Sequence, residues 1–270
     1  MIQDTTEIKK TEEHGTKEPV VVIQQLKKSF GANHVLKELT LTLSKGENLV
    51  VLGKSGTGKS VLIKCLVGLI TADEGKLQVL GKDVLEQDEK GLNELRKKVG
   101  FLFQSGALYD SMTVRENLEF PVRRQLNSRS KEDITKLVLE ALENVGLADA
   151  IDKMPSELSG GMRKRISLAR TLILKPELML YDEPTTGLDT ITSKEISKLI
   201  LNIQKKYQTS SIIITHDMEC ARIVADRVII LKDGKIAIEK YFDNFTSDSV
   251  WYWASAGKTI TSFLVGVAQQ

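Results

Sequence analysis

The sequence predicts an α/β fold with a parallel core sheet, an inserted helical lobe and a small antiparallel β part from the first strands. Three observations carry this. Short apolar strands alternate with segments of helical spacing, the pattern of a parallel sheet. A glycine-rich octapeptide, Gly53 to Ser60, lies between one such strand and one such helix. A later apolar strand, Leu178-Met179-Leu180-Tyr181, ends in the adjacent carboxylates Asp182 and Glu183.

In chain order, Met1 to Glu18 is polar and charged, with no apolar h-region. Residues 1–19 read as a loose leader rather than a signal peptide, so the protein is expected to stay in the cytoplasm. Val20 to Ile23 and Leu39 to Leu43 read as strands, with a turn signal at Gly31-Ala32-Asn33. Asn48 to Leu52 is a short apolar run ending at a glycine, as buried parallel strands do. Val61, Leu62, Cys65, Leu66 and Leu69 recur at helical spacing. The helical lobe is expected at about residues 105–165. Within it Leu137, Leu139, Leu142, Val145 and Leu147 predict one amphipathic helix, and Gln125 to Lys131 a loop. The α/β pattern then resumes with the strand Leu178 to Tyr181, a helix Ile191 to Tyr207, a strand Ile212 to Thr215 and a short helix. A hairpin over Val228 to Ile238 turns at Asp233-Gly234.

The main domain is thus expected over residues 20–240, followed by a C-terminal extension, 241–270. Trp251 and Trp253, both tryptophans of the chain, fall in that extension with Tyr252 between them; Phe263, Leu264 and Val265 follow. This apolar load reads as a segment docked on its own domain or on a partner, or as a short amphipathic membrane contact.

Composition excludes several classes. The 270 residues are 41% hydrophobic and 27% charged, which rules out a disordered or fibrous chain. No apolar run approaches the roughly 18 residues that span a bilayer, so the chain is not itself a membrane channel. Lys+Arg 38 against Asp+Glu 36 leaves a net charge of +2, which argues against nucleic acid as the main partner. Cys65 and Cys220 each sit alone in an apolar pattern and read as small buried hydrophobes.

The octapeptide Gly53-Lys54-Ser55-Gly56-Thr57-Gly58-Lys59-Ser60 fits GxxxxGK[ST] in the strand–loop–helix context that a phosphate-binding P-loop requires. Glycines let the backbone curl until several N–H groups face one anion, and the helix N-terminus adds partial positive charge. Lys59 supplies a full charge to the β- and γ-phosphates of a nucleotide, and the Ser60 hydroxyl can ligate Mg²⁺. Asp182, at a strand's carboxyl end, is placed to hold the same Mg²⁺, and Glu183 to act as base on an attacking water. Ser159 is a natural N-cap, and Gly160 and Gly161 bare the first backbone N–H groups of the helix that follows. That makes a second anion site, one more than a single nucleotide needs.

Together these residues resemble the nucleotide-binding subunit of ATP-binding-cassette (ABC) transporters over nearly all of residues 20–240. The resemblance implies a P-loop NTPase core with an ABC-type helical lobe. Gly53 to Ser60 corresponds to Walker A, Gln104 to the Q-loop glutamine, and Leu158 to Met162 to the LSGGQ signature with Met162 in place of Gln. Leu178 to Glu183 corresponds to Walker B and its catalytic Glu, Gly187-Leu188-Asp189 to the D-loop, His216 to the switch histidine, and Phe30 to the aromatic that stacks on adenine. The family reading gives Gln104 a contact with Mg²⁺ and the attacking water. It also explains the second anion site: two copies pack head to tail, and Ser159, Gly160 and Gly161 of one cover the ATP held by the other. The bare residues leave alternatives, since Phe30 also fits a core aromatic, Gln104 a surface glutamine closing a strand, and His216 a structural histidine.

A narrower resemblance rests on LSGGM followed by Arg163-Lys164-Arg165, and on the stretch Tyr181 to Ser193. Both are similar to the ATPases of bacterial Mla/Mce-type lipid transporters, from which Thr190 departs where Pro is common. This implies a peripheral subunit on the cytoplasmic side of the bacterial inner membrane, partnered by integral-membrane permease subunits and an Mce-type substrate-binding subunit. A soluble ABC ATPase acting on ribosomes or nucleic acid is the alternative; such proteins usually carry two cassettes or a coiled-coil insertion, and this chain has neither. Arg163-Lys164-Arg165 and Arg123-Arg124 read as solvated helix faces or salt-bridge partners. Ala107, Leu108, Tyr109 and Met112 form either a groove for a permease helix or part of the lobe's own core.

Overall fold

The computed structural model describes residues 18–125 and 130–241. The expected extension from residue 242 onward, with Trp251 and Trp253, lies outside the described residues, as do residues 1–17 of the leader and the middle of the loop at 126–129.

The chain opens with two long strands, β1 (Pro19–Phe30) and β2 (Asn33–Ser44), paired antiparallel. Both outrun the short apolar runs that signal them. One face of this sheet is open to water, so the backbone ladder continues through polar side chains such as Lys27, Lys28 and His34. The buried strand β3 (Asn48–Leu52) follows, then helix α1 (Lys59–Leu66). β4 (Glu74–Val79), β5 (Lys82–Asp83) and α2 (Glu89–Lys98) lead into β6 (Val99–Leu102). Next come α3 (Val114–Gln125), α4 (Lys131–Asn144) and α5 (Gly160–Leu172). The last part alternates: β7 (Leu178–Asp182), α6 (Thr190–Tyr207), β8 (Ser210–Ile214), α7 (Met218–Val224), then β9 (Arg227–Lys232) and β10 (Lys235–Tyr241).

Two sheets result. The first is antiparallel in the order β2-β1-β4-β5, and the second has the order β10-β9-β3-β8-β7-β6. From β9 to β6 every neighbour in the second sheet is parallel; β10 adds an antiparallel edge through the expected hairpin. Asp233 and Gly234 both take positive φ, 50° and 78°, as a two-residue hairpin turn requires.

Among the described residues three apolar clusters hold the fold. One joins the antiparallel sheet to α1 and one face of the parallel sheet, through residues such as Ile23, Leu43, Leu62 and Ile212. A second packs α6 and α7 on the opposite face, through Ile196, Ile200, Val224 and Tyr181. The third is the core of the helical lobe, with Leu118, Val138, Leu142 and Ile166. The expected lobe boundary near residue 165 falls inside α5, which serves both sides: Ile166 and Ala169 face the lobe, Leu168 and Leu172 the central core. The amphipathic helix expected to reach Leu147 stops at Asn144. Gly146, at φ 68°, turns the chain, and Val145 and Leu147 pack on the lobe from that turn. Cys65 and Cys220 are buried, and burial pushes their thiols up to about 11 and about 12.

Candidate nucleotide site

β3, β8 and β7 are adjacent in the parallel sheet. Their carboxyl ends therefore bring together three distant pieces of sequence: the loop Gly53 to Ser60, His216, and Asp182-Glu183. Ligands of open α/β sheets bind at this edge.

The loop is shaped by close approaches. A Cβ on Gly53 would stand 2.5 Å from the Leu231 carbonyl oxygen and 2.8 Å from Thr57 Oγ1. Gly58, at φ 100°, is the left-handed N-cap of α1 and offers no side-chain cap. The first N–H groups of α1 thus stand at the cleft wall with no capping side chain, and so does the positive end of the helix dipole. Lys59 is nearly buried, and its Nζ donates to the carbonyls of Gly53 at 2.7 Å and Lys54 at 2.8 Å. Burial holds its ammonium below the usual lysine range, with Glu183 and Asp182 acting in the opposite direction. A cationic, N–H-lined cradle of this kind fits a polyphosphate.

Ser60 Oγ donates to Asp182 Oδ1 at 3.2 Å. A hydroxyl beside a carboxylate is a hard-oxygen pair, suited to Mg²⁺ shared with phosphate oxygens. Burial raises the Asp182 carboxyl above its usual value, Ser60 opposes that shift, and the neighbouring Glu183 adds to it. A cation between Ser60 and Asp182 would offset this cost, so the residues fit the group.

Glu183 sits at φ 51°, a left-handed backbone costing a side-chain-bearing residue about 1–3 kcal/mol. The strain is held by its N–H on Ile214 O at 2.9 Å and by two partners of its carboxylate. Thr186 Oγ1 donates to Glu183 Oε2 at 3.2 Å, and His216 Nδ1 lies 2.8 Å from the same oxygen. Glu183 is thereby turned into the cleft rather than along the strand.

One cleft of about 650 Å³ takes in most of these groups; Asp182 is not among its lining residues and reaches it only through Ser60. It is lined by Phe30, Gly53, Lys54, Ser55, Gly56, Gly58, Lys59, Ser60, Gln104, Glu183 and His216, with Val35 and Val61. Phe30 is 49% exposed at its mouth, so it is not a core aromatic; Lys28 Nζ stands 5.2 Å from the ring centroid. Thr57 shapes the loop by donating to Lys54 O at 2.9 Å. Ser159, Gly160 and Gly161 do not line this cleft. They open α5, where Ser159 Oγ accepts from Met162 N–H at 3.2 Å as the expected N-cap. Asp189 likewise caps α6, accepting from the N–H groups of Ile191 and Thr192.

Two features escape the sequence reading. Val35 reaches the cleft from β2 without any motif to mark it. Lys164, expected on a solvated face or in a salt bridge, is only 6% exposed, and its Nζ donates to the Gln104 carbonyl at 2.6 Å. The expectation fails because a segment sixty residues earlier in the chain folds over this turn of α5. Its neighbour Arg165 does form a salt bridge, with Glu195 at 2.6 Å. The stretch after Gln104 divides. Leu108 packs on the lobe core, while Tyr109 stays 44% exposed against Phe120, with the Arg170 guanidinium 5.5 Å from its ring centroid. Among the described residues no helix is long and apolar enough to cross a membrane.

Comparison with known proteins agrees with this geometry. The chain is 42% identical over 211 residues to the probable ribonucleotide transport ATP-binding protein Mkl of Mycobacterium tuberculosis. That match covers 78% of this chain and 58% of the relative, so the chain spans little more than half the length of this protein. It is 38% identical over 235 residues to the methionine import ATP-binding protein MetN of Rhizobium johnstonii, covering 87% and 64%. Among solved structures it superposes on the dimeric cassette MJ0796, bound to ADP and Pi in a post-hydrolysis state, with TM-score 0.76 at 30% identity. The match covers 83% of this chain and all of that one. CbiO1 of Clostridium perfringens, part of the transporter complex CbiONQ, matches with TM-score 0.77 at 29% identity, covering 83% and 89%. Residues 36–186, from inside β2 to just beyond Glu183, match the sequence profile of one family, and the chain belongs to it: the ABC transporters.

Proposed function

We propose that this chain binds Mg-ATP in the cleft and hydrolyses it to drive a membrane ABC transporter. The carrying observation is the convergence of Phe30, the Gly53–Ser60 loop, Gln104, Glu183 and His216 on one cleft, with Ser159 to Gly161 standing outside it. Phe30 offers a ring face to adenine. Lys59 and the loop N–H groups bind the phosphates, Lys59 leaving its carbonyl partners to reach the β- and γ-phosphates. Ser60, Asp182 and Gln104 would hold Mg²⁺, which would supply charge neutralisation at the phosphate oxygens. Glu183 accepts the proton of the attacking water, and His216 orients the Glu183 carboxylate and contacts the γ-phosphate. A second copy completes the site: Ser159, Gly160 and Gly161 of the partner's α5 cap the γ-phosphate, so two ATP molecules are sandwiched in a two-fold dimer. The cap needs an intact γ-phosphate, so hydrolysis reopens the dimer and membrane subunits follow the motion.

The chain is assigned to the cytoplasmic face of the bacterial inner membrane, bound peripherally to permease subunits. Its cargo is a phospholipid or related envelope lipid, delivered with an Mce-type binding subunit. Support for the lipid lies in Met162 with Arg163-Lys164-Arg165, and in the Tyr181 to Ser193 stretch. Ribonucleotide and methionine, the cargoes in the relatives' names, are the competing readings. Purifying the tagged chain from solubilised membranes, with mass spectrometry of bound proteins and small molecules, tests this. Co-purifying permease subunits with phospholipid support it. Enrichment of methionine or nucleotide in place of lipid would overturn the cargo, and recovery with ribosomes would overturn the transport role.

A further inference from the structure

We propose that Lys164 is a positioning residue that couples the two nucleotide sites of the dimer, by tying the helix that caps one ATP to the glutamine segment that serves the other. The inference rests on the ATP-sandwich reading above.

α5 is capped by Ser159, which leaves exposed Gly160 and half-buried Gly161 at the end that the sandwich would set against the partner's ATP. Lys164 lies five residues on, about 7.5 Å along the axis. Its side chain does not reach for solvent. It is buried, and its Nζ holds the Gln104 carbonyl oxygen at 2.6 Å. A buried ammonium carries a large desolvation cost, offset here in part by its bond to the Gln104 carbonyl and by the nearby Asp182 and Glu183 carboxylates.

A second contact binds the same segment to the same helix. Gly106 runs so close to α5 that a Cβ there would stand 2.8 Å from Ser167 Oγ. Ser167 is itself held by donating to Arg163 O at 2.8 Å. The backbone of residues 104–106 is therefore clamped at two points along α5, by Lys164 and by the Gly106–Ser167 contact. Gln104 itself is exposed and lines the cleft of its own chain.

Geometry then dictates the coupling. Docking of the α5 N-terminus on the partner's γ-phosphate shifts or steadies α5. The clamp passes that change to Gln104, which faces the chain's own nucleotide. Each site thereby senses occupancy of the other through a rigid path inside one subunit, which is a coupling free energy between two sites. In the absence of the Lys164 bond, each ATP should still bind, but Gln104 is no longer set by closure on the opposite side.

The test uses the full chain in its assembled dimer, with Mg-ATP as the only probe. Steady-state hydrolysis is measured across ATP concentration for wild type, Lys164→Met and Lys164→Arg, with thermal melts of each. Wild type should hydrolyse ATP with a Hill coefficient near the number of sites. Lys164→Met should lower kcat on the order of tenfold, as expected for loss of one bond from a charged donor, with half-saturation nearly unchanged and the Hill coefficient falling toward one. Lys164→Arg, which keeps a buried cation with N–H donors, should restore cooperativity. A merely structural lysine would move the melting temperature and leave the Hill coefficient alone. If Lys164→Met fails to fold, Lys164→Leu, which likewise has no donor, takes its place in the same comparison. Wild-type cooperativity in a folded Met or Leu variant, or an Arg variant no better than the variant without a donor, would overturn the proposal. So would a non-cooperative wild type that still hydrolyses ATP. Absence of hydrolysis in the wild-type assembly would instead overturn the reading of the cleft, and the coupling with it.

Discussion

Lys59→Ala separates binding from folding at the cleft. Without nucleotide, Lys59 Nζ donates to the carbonyls of Gly53 and Lys54, and most of its side chain is out of water. Removing it loses two charge-assisted bonds but also relieves a buried ammonium, whose strain shows in its lowered pKa. The two effects oppose each other, each on the order of a few kcal/mol. The ATP-bound state has no such compensation. The variant lacks the cation that the proposed site sets against the β- and γ-phosphates, a loss taken as about 2.7–4 kcal/mol, the cost of removing one oxyanion donor, or roughly 10²–10³ in affinity. At ATP one hundredfold above the wild-type dissociation constant, ligand binding stabilises wild type by about 2.7 kcal/mol. A variant binding one hundredfold more weakly gains only about 0.4 kcal/mol at that concentration. For a domain of this size, 1 kcal/mol moves the melting temperature about 2–4 °C. ATP should therefore raise the wild-type melting point by about 5–11 °C, and that of the variant by about 1–2 °C. The assay is differential scanning fluorimetry with and without Mg-ATP, and each protein is its own reference. Equal ATP-induced shifts would refute the P-loop assignment, whatever the variant's stability without ligand.

Three more predictions concern other parts of the molecule. Phe30→Ala should raise KM for ATP severalfold, in line with about 0.5–1.5 kcal/mol of stacking, and leave kcat within twofold; a large fall in kcat at constant KM would show that Phe30 does not stack on the base. Arg227→Met should cost about 3–5 kcal/mol, read as a lowered urea midpoint. The reason is that Arg227, 5% exposed, bonds Glu47 and Glu239 at 2.6 Å each and the Thr42 carbonyl, joining the two sheets; an unchanged midpoint would dismiss this link. Cys65 and Cys220, with thiols pushed up to about 11 and about 12 by burial, should resist alkylation in the native chain at pH 8 and both react in denaturant. Their reactivity should rise only as the pH approaches those values, and fast labelling at pH 8 would contradict their burial.

What the sequence reveals follows the range of the constraint. The Gly53–Ser60 loop and the Asp233-Gly234 turn are legible because adjacent residues dictate their shape. The buried strands β3, β7 and β8 are legible because both faces are covered, so each is a nearly continuous apolar run. The stretch Glu74 to Lys98 is not. β4 buries only Leu77 and Val79, β5 is two residues long, and α2 buries Leu95 alone, so their periodicity is faint. At the site, each motif is readable, but the spacing between them is set by strand order, which places β3 beside β8 and β8 beside β7. Lys164 shows the limit. A lysine flanked by two arginines carries the local signal of an exposed face, and only the approach of residue 104 buries it.

The central claim is that Glu183 is the base of an ATP site completed by a second copy of the chain, and Glu183→Gln tests it most directly. Glutamine keeps nearly the same shape but cannot accept the proton of the attacking water. Ser60, Asp182 and Lys59 remain, so Mg-ATP should still bind, and the γ-phosphate that the partner's Ser159, Gly160 and Gly161 cap now persists. Turnover should fall about 10²-fold or more. On size-exclusion chromatography the variant should run as a dimer with Mg-ATP and as a monomer after EDTA, tested on the chain alone and again on the assembled transporter. Near wild-type turnover in both settings would contradict the role of Glu183. Lost turnover with no ATP-dependent closure in either setting would contradict the sandwich.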